Sequence, residues 1–461
     1  MTSIFSLLNT SRRAMDASQM GVQIADHNIA NINTPGYIRQ ELMLTPMRSL
    51  VTAFGDVGMG VNVDSVRRVN DEFLQKAMFK ENAGYSEWKA ASDVLGRVDV
   101  LTGVDGGSSL GGAITDFFNA FDKLSTNVED NAVRSVVVNA GVTLADRFHD
   151  LSTGLDDLKT EIDTKIARQT KRVSGILAQV ASLNQKIIAS DANPSQANDL
   201  KVSRSQLLNE LSGYVNIKTE KDQFGGVDVY VGGHQLVHRD SAVVVSATPG
   251  ATVSGASQPV EVSVDGFVLD AHKLGGGIGS LVETRDNELA SVRSALDQLA
   301  GTIAEKVNTI HRSGFSPAGS GVDFFDGTDA TTFQVNEVVR NQPEYVAHSY
   351  DNTPGDNTLA KDIAALRDTT MDELGGRTPV GFFGNLVGDV GSLAASANSM
   401  VQNKDMTKGQ LQTRIDSVSG VSLDEEVANV TRFKTMYEAS AKMMNTVNNM
   451  LDTLISLGGT R

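Results

Sequence analysis

Cysteine is absent from the 461 residues, which excludes disulfides, thiolate metal sites and cysteine nucleophiles in one step. Every tie in the fold is therefore non-covalent. Aromatic residues are few, 17 Phe, 7 Tyr and 1 Trp, so a large aromatic-lined pocket is not expected. No apolar run reaches the roughly 18 residues that a membrane-spanning helix requires. Positive charge is scarce as well: 40 Lys and Arg stand against 56 Asp and Glu, a formal net charge of −16. A surface this acidic repels phosphate backbones and anionic headgroups, so neither nucleic acid nor membrane insertion is expected. The first residues carry no basic charge ahead of their apolar stretch, and Arg12-Arg13 interrupts it, so no cleaved signal peptide is expected.

Catalytic signatures are equally scarce. The Gly-rich run Gly275-Gly276-Gly277-Ile278-Gly279 lacks the Gly-Lys-Ser/Thr ending of a phosphate loop and reads as a domain linker. His234 and His238 have the four-residue spacing of zinc ligands on a helix, but they fall in a stretch that alternates like a strand, where that spacing is about 13 Å. Asp323, Asp326 and Asp329 miss the alternate-position spacing of a calcium loop. No nucleophile elbow occurs, and the 7 histidines are scattered. No enzyme activity, catalytic residue, cofactor or metal ligand is expected.

What the chain does have is helical periodicity. Ile4, Leu8, Ser11, Met15, Ser18, Val22, Ala25, Ile29 and Ile32 alternate steps of four and three, the seam of a coiled coil, and Thr34-Pro35-Gly36 stops that helix near Asn33. At the other end, Ser422 and Glu425 have the spacing of a capping box that starts a last helix. Val427, Val430, Phe433, Tyr437, Ala441, Met444, Val447, Leu451 and Leu454 form its stripe, and Gly458-Gly459 ends it. The end segments are nearly neutral, so the −16 lies between residues 41 and 420. Neutral, apolar ends on an acidic body suit an assembling subunit. Met436, Met443, Met444 and Met450 read equally as a recognition face or as core fillers.

Between the ends, heptad-like spacing from Leu144 to Ile166 continues from Val173 to Ile187 past an irregularity near Gly175. It predicts a rod of about 45 residues, roughly 65 Å long. Leu289 to Ile310 marks another helix, and Leu386 to Ile415 a weaker one. Residues 214–275 alternate as strands do, for example Val227-Asp228-Val229-Tyr230-Val231, and predict a small β-rich insert. Residues 315–378 are punctuated by Gly, Asp and Pro and predict a surface excursion. The fold class is thus mainly α with a β-rich insert. The expected domains are a terminal coiled coil from residues 1–40 and 421–461, a long-helix bundle from 41–213 and 276–420, and the outer insert 214–275.

Asn28-Ile29-Ala30-Asn31-Ile32-Asn33-Thr34-Pro35-Gly36-Tyr37 resembles the N-terminal signature of the axial flagellar proteins of bacteria, which form rod, hook and hook–filament junction. Arg39-Gln40, the stretch Ser419-Gly420-Val421-Ser422-Leu423-Asp424-Glu425-Glu426 and Tyr437-Glu438-Ala439-Ser440-Ala441 are most similar to the hook-associated protein 1 family. Asn198-Asp199-Leu200, Pro354-Gly355-Asp356-Asn357 and Val387-Gly388-Asp389-Val390-Gly391 extend the similarity into the middle. The resemblance implies a structural junction subunit of the extracellular flagellum, exported unfolded through the flagellar type III channel. The partners it implies are further copies of the chain, hook protein, the next hook-associated junction protein, and a cytoplasmic export chaperone on the C-terminal helix. A hook or distal-rod subunit, or a surface-exposed binding module within 214–378, is the alternative.

A lone helix pair with an exposed seam is marginal in water, so assembly and ordering of the ends should be coupled. Assembly contacts are expected at Ile4, Leu8, Met15, Val22, Ile29, Val430, Phe433, Tyr437, Met444, Leu451 and Leu454. Asn28, Asn31, Thr34, Pro35, Gly36 and Tyr37 are expected to shape the connection to the body.

Overall fold

The computed structural model describes residues 2–34, 36–52, 55–103, 109–190, 194–253, 256–351, 353 and 355–458. Pro35, Pro354 and Gly459, on which expectations fell, lie outside the described residues. In chain order, α1 (Thr2–Ala30) leads into β1 (Gln40–Pro46), β2 (Leu50–Thr52), β3 (Gly55–Val57) and β4 (Val61–Arg68). The helices α2 (Glu72–Thr102), α3 (Leu110–Thr126), α4 (Asn131–Ala189) and α5 (Pro194–Tyr214) follow. β5 (Ile217–Lys221), β6 (Val227–Val231), β7 (His234–His238) and β8 (Ser241–Ala242) make one antiparallel sheet in that order. β9 (Val245–Val253), β10 (Ala256–Val264) and β11 (Phe267–Val268) make a second. Then come α6 (Ala271–Leu274), α7 (Gly276–Glu283) and α8 (Ala290–Arg312). The short strands β12 (Phe315–Ser316), β13 (Gly319–Ser320), β14 (Phe325–Asp326) and β15 (Gln334–Val335) precede α9 (Glu337–Asn341) and α10 (Thr358–Ala365). The chain closes with α11 (Pro379–Ser419) and α12 (Leu423–Gly458).

These elements form two compact units. A terminal unit gathers Met1–Ala83, Arg172–Val245 and Lys404–Arg461, and a central unit gathers Gly84–Lys171 and Ser246–Asn403. The boundaries fall within α2, α4 and α11 and at the start of β9.

The terminal unit holds the four-stranded sheet against the ends of α4 and α5. Val227, Val229 and Val231 of β6 are buried at every second position, as strand alternation dictates. The Asn184 amide of α4 ties helix to sheet, donating to the carbonyls of Val227 and Arg239 and accepting from the Val227 N–H. The same unit contains an antiparallel β1–β4 pair, where the sequence reading placed the start of a helix bundle. Leu42 opposes Val66 and Leu44 opposes Val63 across this pair, with a bulge after Met43. These residues share a face only once the two strands are paired, so neither segment alternates strongly enough to be read by itself.

The central unit is built on phenylalanine. Phe117, Phe118 and Phe121 of α3, Phe148 of α4, and Phe324, Phe325 and Phe333 form a chain of ring contacts with centroids 4.4 to 5.6 Å apart. Three of these rings come from residues 315–378, which corrects the expectation of a surface excursion. That segment lacks long elements but closes the core, and Val339, Val346, Leu359 and Ile363 from it are also fully buried. Gly275–Gly279 is likewise no linker. Gly276, Gly277 and Gly279 sit in buried α7, where a Cβ on Gly279 would come within 2.5 Å of the Ala271 carbonyl of α6. Residues 214–275 split between two sheets rather than forming one insert, and α4 runs its 59 residues without interruption at Gly175.

His311 of α8 is buried against Phe324, accepting the Ala347 N–H at Nε2 and bonding the Val322 carbonyl through Nδ1. Burial holds its pKa down to about 4, against the opposing pull of the Val322 carbonyl and Asp323. The unfolded chain, with an ordinary imidazole, takes up this proton first. The stabilisation is therefore complete above about pH 6.5 and is lost as pH falls toward 4, by roughly 3 kcal/mol at most. Urea unfolding followed by the fluorescence of Trp88 in the central unit should show this slope between pH 6.5 and 4.5, and His311→Gln should flatten it. Equal slopes in the two proteins would contradict the assignment.

Candidate assembly interface on the terminal helices

α1 packs along α12 within the terminal unit. Two anchors set their direction. The Asn28 amide reaches Glu426 at 3.2 Å, while the Phe433 ring lies against Gly21, seven residues earlier on α1 and seven later on α12. The helices are therefore antiparallel. A Cβ on Gly21 would sit 2.7 Å from three atoms of the Phe433 ring, so glycine is needed for this approach. The Arg432 guanidinium lies 4.9 Å from the centre of that ring.

The α1 face buried in this contact is made of small residues. Ser11, Ser18, Gly21, Ala25 and Asn28 are buried at alternating intervals of seven, three, four and three. Ile4, Leu8, Met15, Val22 and Ile29 are half-buried beside it rather than filling it. On α12, Val430, Phe433, Met444 and Leu451 are half-buried, Val447 and Glu426 are buried, and Tyr437 and Leu454 are exposed. The seam read from the sequence already holds Ser11, Ser18 and Ala25 of this face, but not Gly21 or Asn28. Close approach of two backbones selects small residues, and a glycine leaves no mark in a pattern of side chains.

The motif loop is organised by Asn28, which is fully buried and makes four hydrogen bonds. Its Nδ2 donates to the Gln40 carbonyl at 2.9 Å and to Glu426 Oε2 at 3.2 Å. Its Oδ1 accepts from the Gln40 N–H at 3.0 Å and from the Tyr37 hydroxyl at 2.8 Å. One side chain thus joins α1, the loop, β1 and α12. Asn31 and Thr34 close the turn: Asn31 Nδ2 donates to the His27 carbonyl, Thr34 Oγ1 donates to Asn31 Oδ1, and the Tyr37 N–H reaches the Thr34 carbonyl. Gly36 has φ +76°, a left-handed conformation that glycine adopts without strain.

Burial, then the carboxylates of Asp199 and Glu426, push the Tyr37 phenol well above its ordinary pKa, so it stays a donor to Asn28. The Glu426 N–H bonds the Ser422 carbonyl, while the Glu425 carboxylate pairs with Arg39. The first turn of α12 is thereby tied to the loop rather than closed by the expected capping box. Glu426 was not singled out as a site residue. Its signal was a carboxylate at a position that the helical stripe places on the inner face.

A flank of α12 carries a second apolar row. Met436, Met443 and Met450 recur at heptad spacing and are 40, 50 and 54% exposed. Val427, Tyr437, Leu454 and Ile455 are exposed on the same helix, as are Phe5, Leu7 and Met20 on α1. Among the described residues, no group of three or more His, Asp or Glu is placed to hold a metal ion. Among them, too, no helix is long and apolar enough to cross a membrane.

Asn28→Ala should destabilise the terminal unit by roughly 2–4 kcal/mol, because it strands a buried carboxylate and two backbone groups of Gln40. Asn28→Asp should do at least as much at pH 7, where it sets a second carboxylate beside Glu426, and should recover in part toward pH 4. Chemical denaturation checks both, and a loss below about 0.5 kcal/mol in each would remove Asn28 from this role.

Residues 95–325 match the family described as flagellar hook-associated protein FlgK helical domain, and residues 414–457 match the flagellar basal body rod FlgEFG protein C-terminal family. The chain is 26% identical to flagellar hook-associated protein 1 of Bacillus subtilis, over 99% of either chain. It is 24% identical to that of Escherichia coli over 98% of this chain and 100% of the other. The structure of the flagellar hook junction protein FlgK from Burkholderia pseudomallei superposes with a TM-score of 0.65 at 12% identity, covering 75% of this chain and 100% of that one. That likeness speaks for the fold. The matched helical domain spans half of the sequence: the chain belongs to the flagellar hook-associated protein family typified by FlgK.

Proposed function

We propose that this flagellar component is the subunit that joins hook to filament, and that it assembles by burying the exposed methionine row of α12 and the exposed residues of α1 against neighbouring subunits. The observation that carries the reading is the exposed heptad row Met436, Met443 and Met450, on a helix whose adjoining face is already occupied by α1. Unbranched thioethers repack against different neighbours at low cost, which suits a subunit that meets its own copies, hook protein and the next hook-associated protein. In this reading residues 1–40 and 421–461 act together as the assembly domain. Ile4, Leu8, Met15, Val22 and Ile29 flank the α1–α12 contact, and Tyr437 and Leu454 belong to the outer surface. Asn28, Asn31, Thr34, Gly36 and Tyr37 fix the loop that holds the pair.

The methionine row also suits capture by a cytoplasmic export chaperone before secretion through the flagellar type III channel, which would place the chain in the extracellular flagellum. The work is structural and requires no catalytic group. A second reading, a hook or rod subunit that polymerises along a length, is favoured by the match of residues 414–457 to the rod family.

Purified chain added to isolated hooks and labelled with an antibody to residues 214–275 should mark the distal hook end in electron micrographs. Label along extended tubes would favour the rod-like reading. Met443→Asp should leave the circular dichroism of the free chain unchanged and reduce decoration at least tenfold, because it buries a charge only upon assembly. Leu451→Asp, placed in the helix pair itself, should abolish incorporation while leaving the central unit folded. Normal decoration by both variants would contradict the proposal.

A further inference from the structure

An acidic chain has little reason to gather cations, yet the terminal unit does so away from the α1–α12 pair. A cavity of about 400 Å³ is bounded by β4, the start of α2, α5 and the β5–β6 hairpin. Arg67, Arg68, Lys76, Lys201, Arg204 and Lys221 line it, against the carboxylates of Glu72 and Glu220. Part of this charge is already answered. Lys221 pairs with Glu72, and Arg67 with Glu41 at 3.3 Å.

The inner two guanidiniums are not answered in this way. Arg204, 6% exposed, donates to the neutral oxygens of Asn184 at 2.7 Å and Gly225 at 3.0 Å. Burial lowers its pKa to about 10, and repulsion from Arg68 adds to this while Asp222 opposes it. Burial alone brings Arg68 to about 10. The Nε and Nη2 atoms of Arg68 are buried without a hydrogen-bond partner. These two atoms form the edge with which a guanidinium takes an oxyanion side-on. The chain shows that grip elsewhere: Arg172 holds Glu210 through Nε and Nη2, both bonds at 2.7 Å. Two like charges kept together out of water, one with its bidentate edge unsatisfied, call for a counter-anion.

We propose that this cavity is an oxyanion site, in which the Nε–Nη2 edge of Arg68 grips a carboxylate or phosphate group and Arg204 and Lys76 supply further positive charge. The site draws on four elements of the terminal unit and does not depend on the assembly reading. Occupation would lock β4 to α5 and α2, whose mutual repulsion it cancels.

The test is calorimetric titration of the full chain with inorganic phosphate and, separately, with succinate, at an ionic strength fixed with sodium chloride. Saturable binding of at least one is expected, tighter for phosphate if the ligand is a phosphate and tighter for succinate if it is a carboxylate. Arg68→Gln should weaken that binding tenfold or more, and Arg68→Lys, which keeps the charge but loses the fork, by an intermediate factor. Arg147→Gln, at an exposed pair in the central unit, should change nothing. If Arg68→Gln fails to fold, Lys76→Gln at the exposed rim should weaken binding at least threefold. Absence of saturable binding above chloride, or undiminished binding in the folded variants, would overturn the proposal.

Discussion

The four hydrogen bonds of Asn28 are the constraint on which the terminal unit turns. A long helix leaving the N-terminus has no reason of its own to lie along the last helix of the chain. The Asn28 amide supplies one, because its donors and acceptor are satisfied only when β1, the Tyr37 loop and Glu426 of α12 converge on it. A buried carboxylate such as Glu426 is costly unless hydrogen-bonded, and a buried amide equally so, so each enforces the position of the other. Gly21 then admits the Phe433 ring, and the pair closes through small side chains. Because the α1 side of the contact is made of small residues, larger apolar side chains are left beside it and along a flank of α12. That leftover surface is what an assembling subunit can offer.

The polar and apolar parts thus have separate roles. Hydrogen bonds fix register and direction in the free chain, where water would otherwise compete. In the proposed assembly, apolar burial is reserved for contact with neighbours, where area rather than direction matters. The central unit is organised in the opposite way, around a continuous run of phenylalanine rings in which Phe324, Phe325 and Phe333 arrive from a segment with hardly any regular structure. Its integrity rests on packing that is complete within the one chain.

Much of this was legible in the sequence. The spacing of Leu144, Phe148, Leu155, Leu158, Ile162 and Ile166 in α4, and of Leu296, Leu299, Ile303 and Val307 in α8, coincides with burial because a helix repeats its inward face every three or four residues. Strand alternation at Val227, Val229 and Val231 read equally well. The β1–β4 pair did not, since Leu42 and Val66 become neighbours only across a long connection. Residues 315–378 did not, because a ring such as Phe333 is placed by a distant helix rather than by local periodicity. Ser18 and Ala25 stood in the spacing of the first helix but Gly21 did not, since a glycine leaves no side chain to read, and the cations around Arg68 come together from two stretches, 67–76 and 201–221, far apart in sequence. The motif residues Asn28, Asn31, Thr34, Gly36 and Tyr37 were visible as a pattern, but the fourfold bonding of Asn28 required the fold.

Methionine footprinting tests the central claim most directly. Brief oxidation of the free chain and of the chain seated on isolated hooks, read by mass spectrometry, reports how far water and oxidant reach each thioether. Met436, Met443 and Met450 should oxidise readily in the free chain and be protected by at least fivefold on the hook, while buried Met78 should stay low in either state. Equal oxidation of the three in both states, with the chain demonstrably bound, would contradict the assignment of this row as the surface through which the subunit assembles.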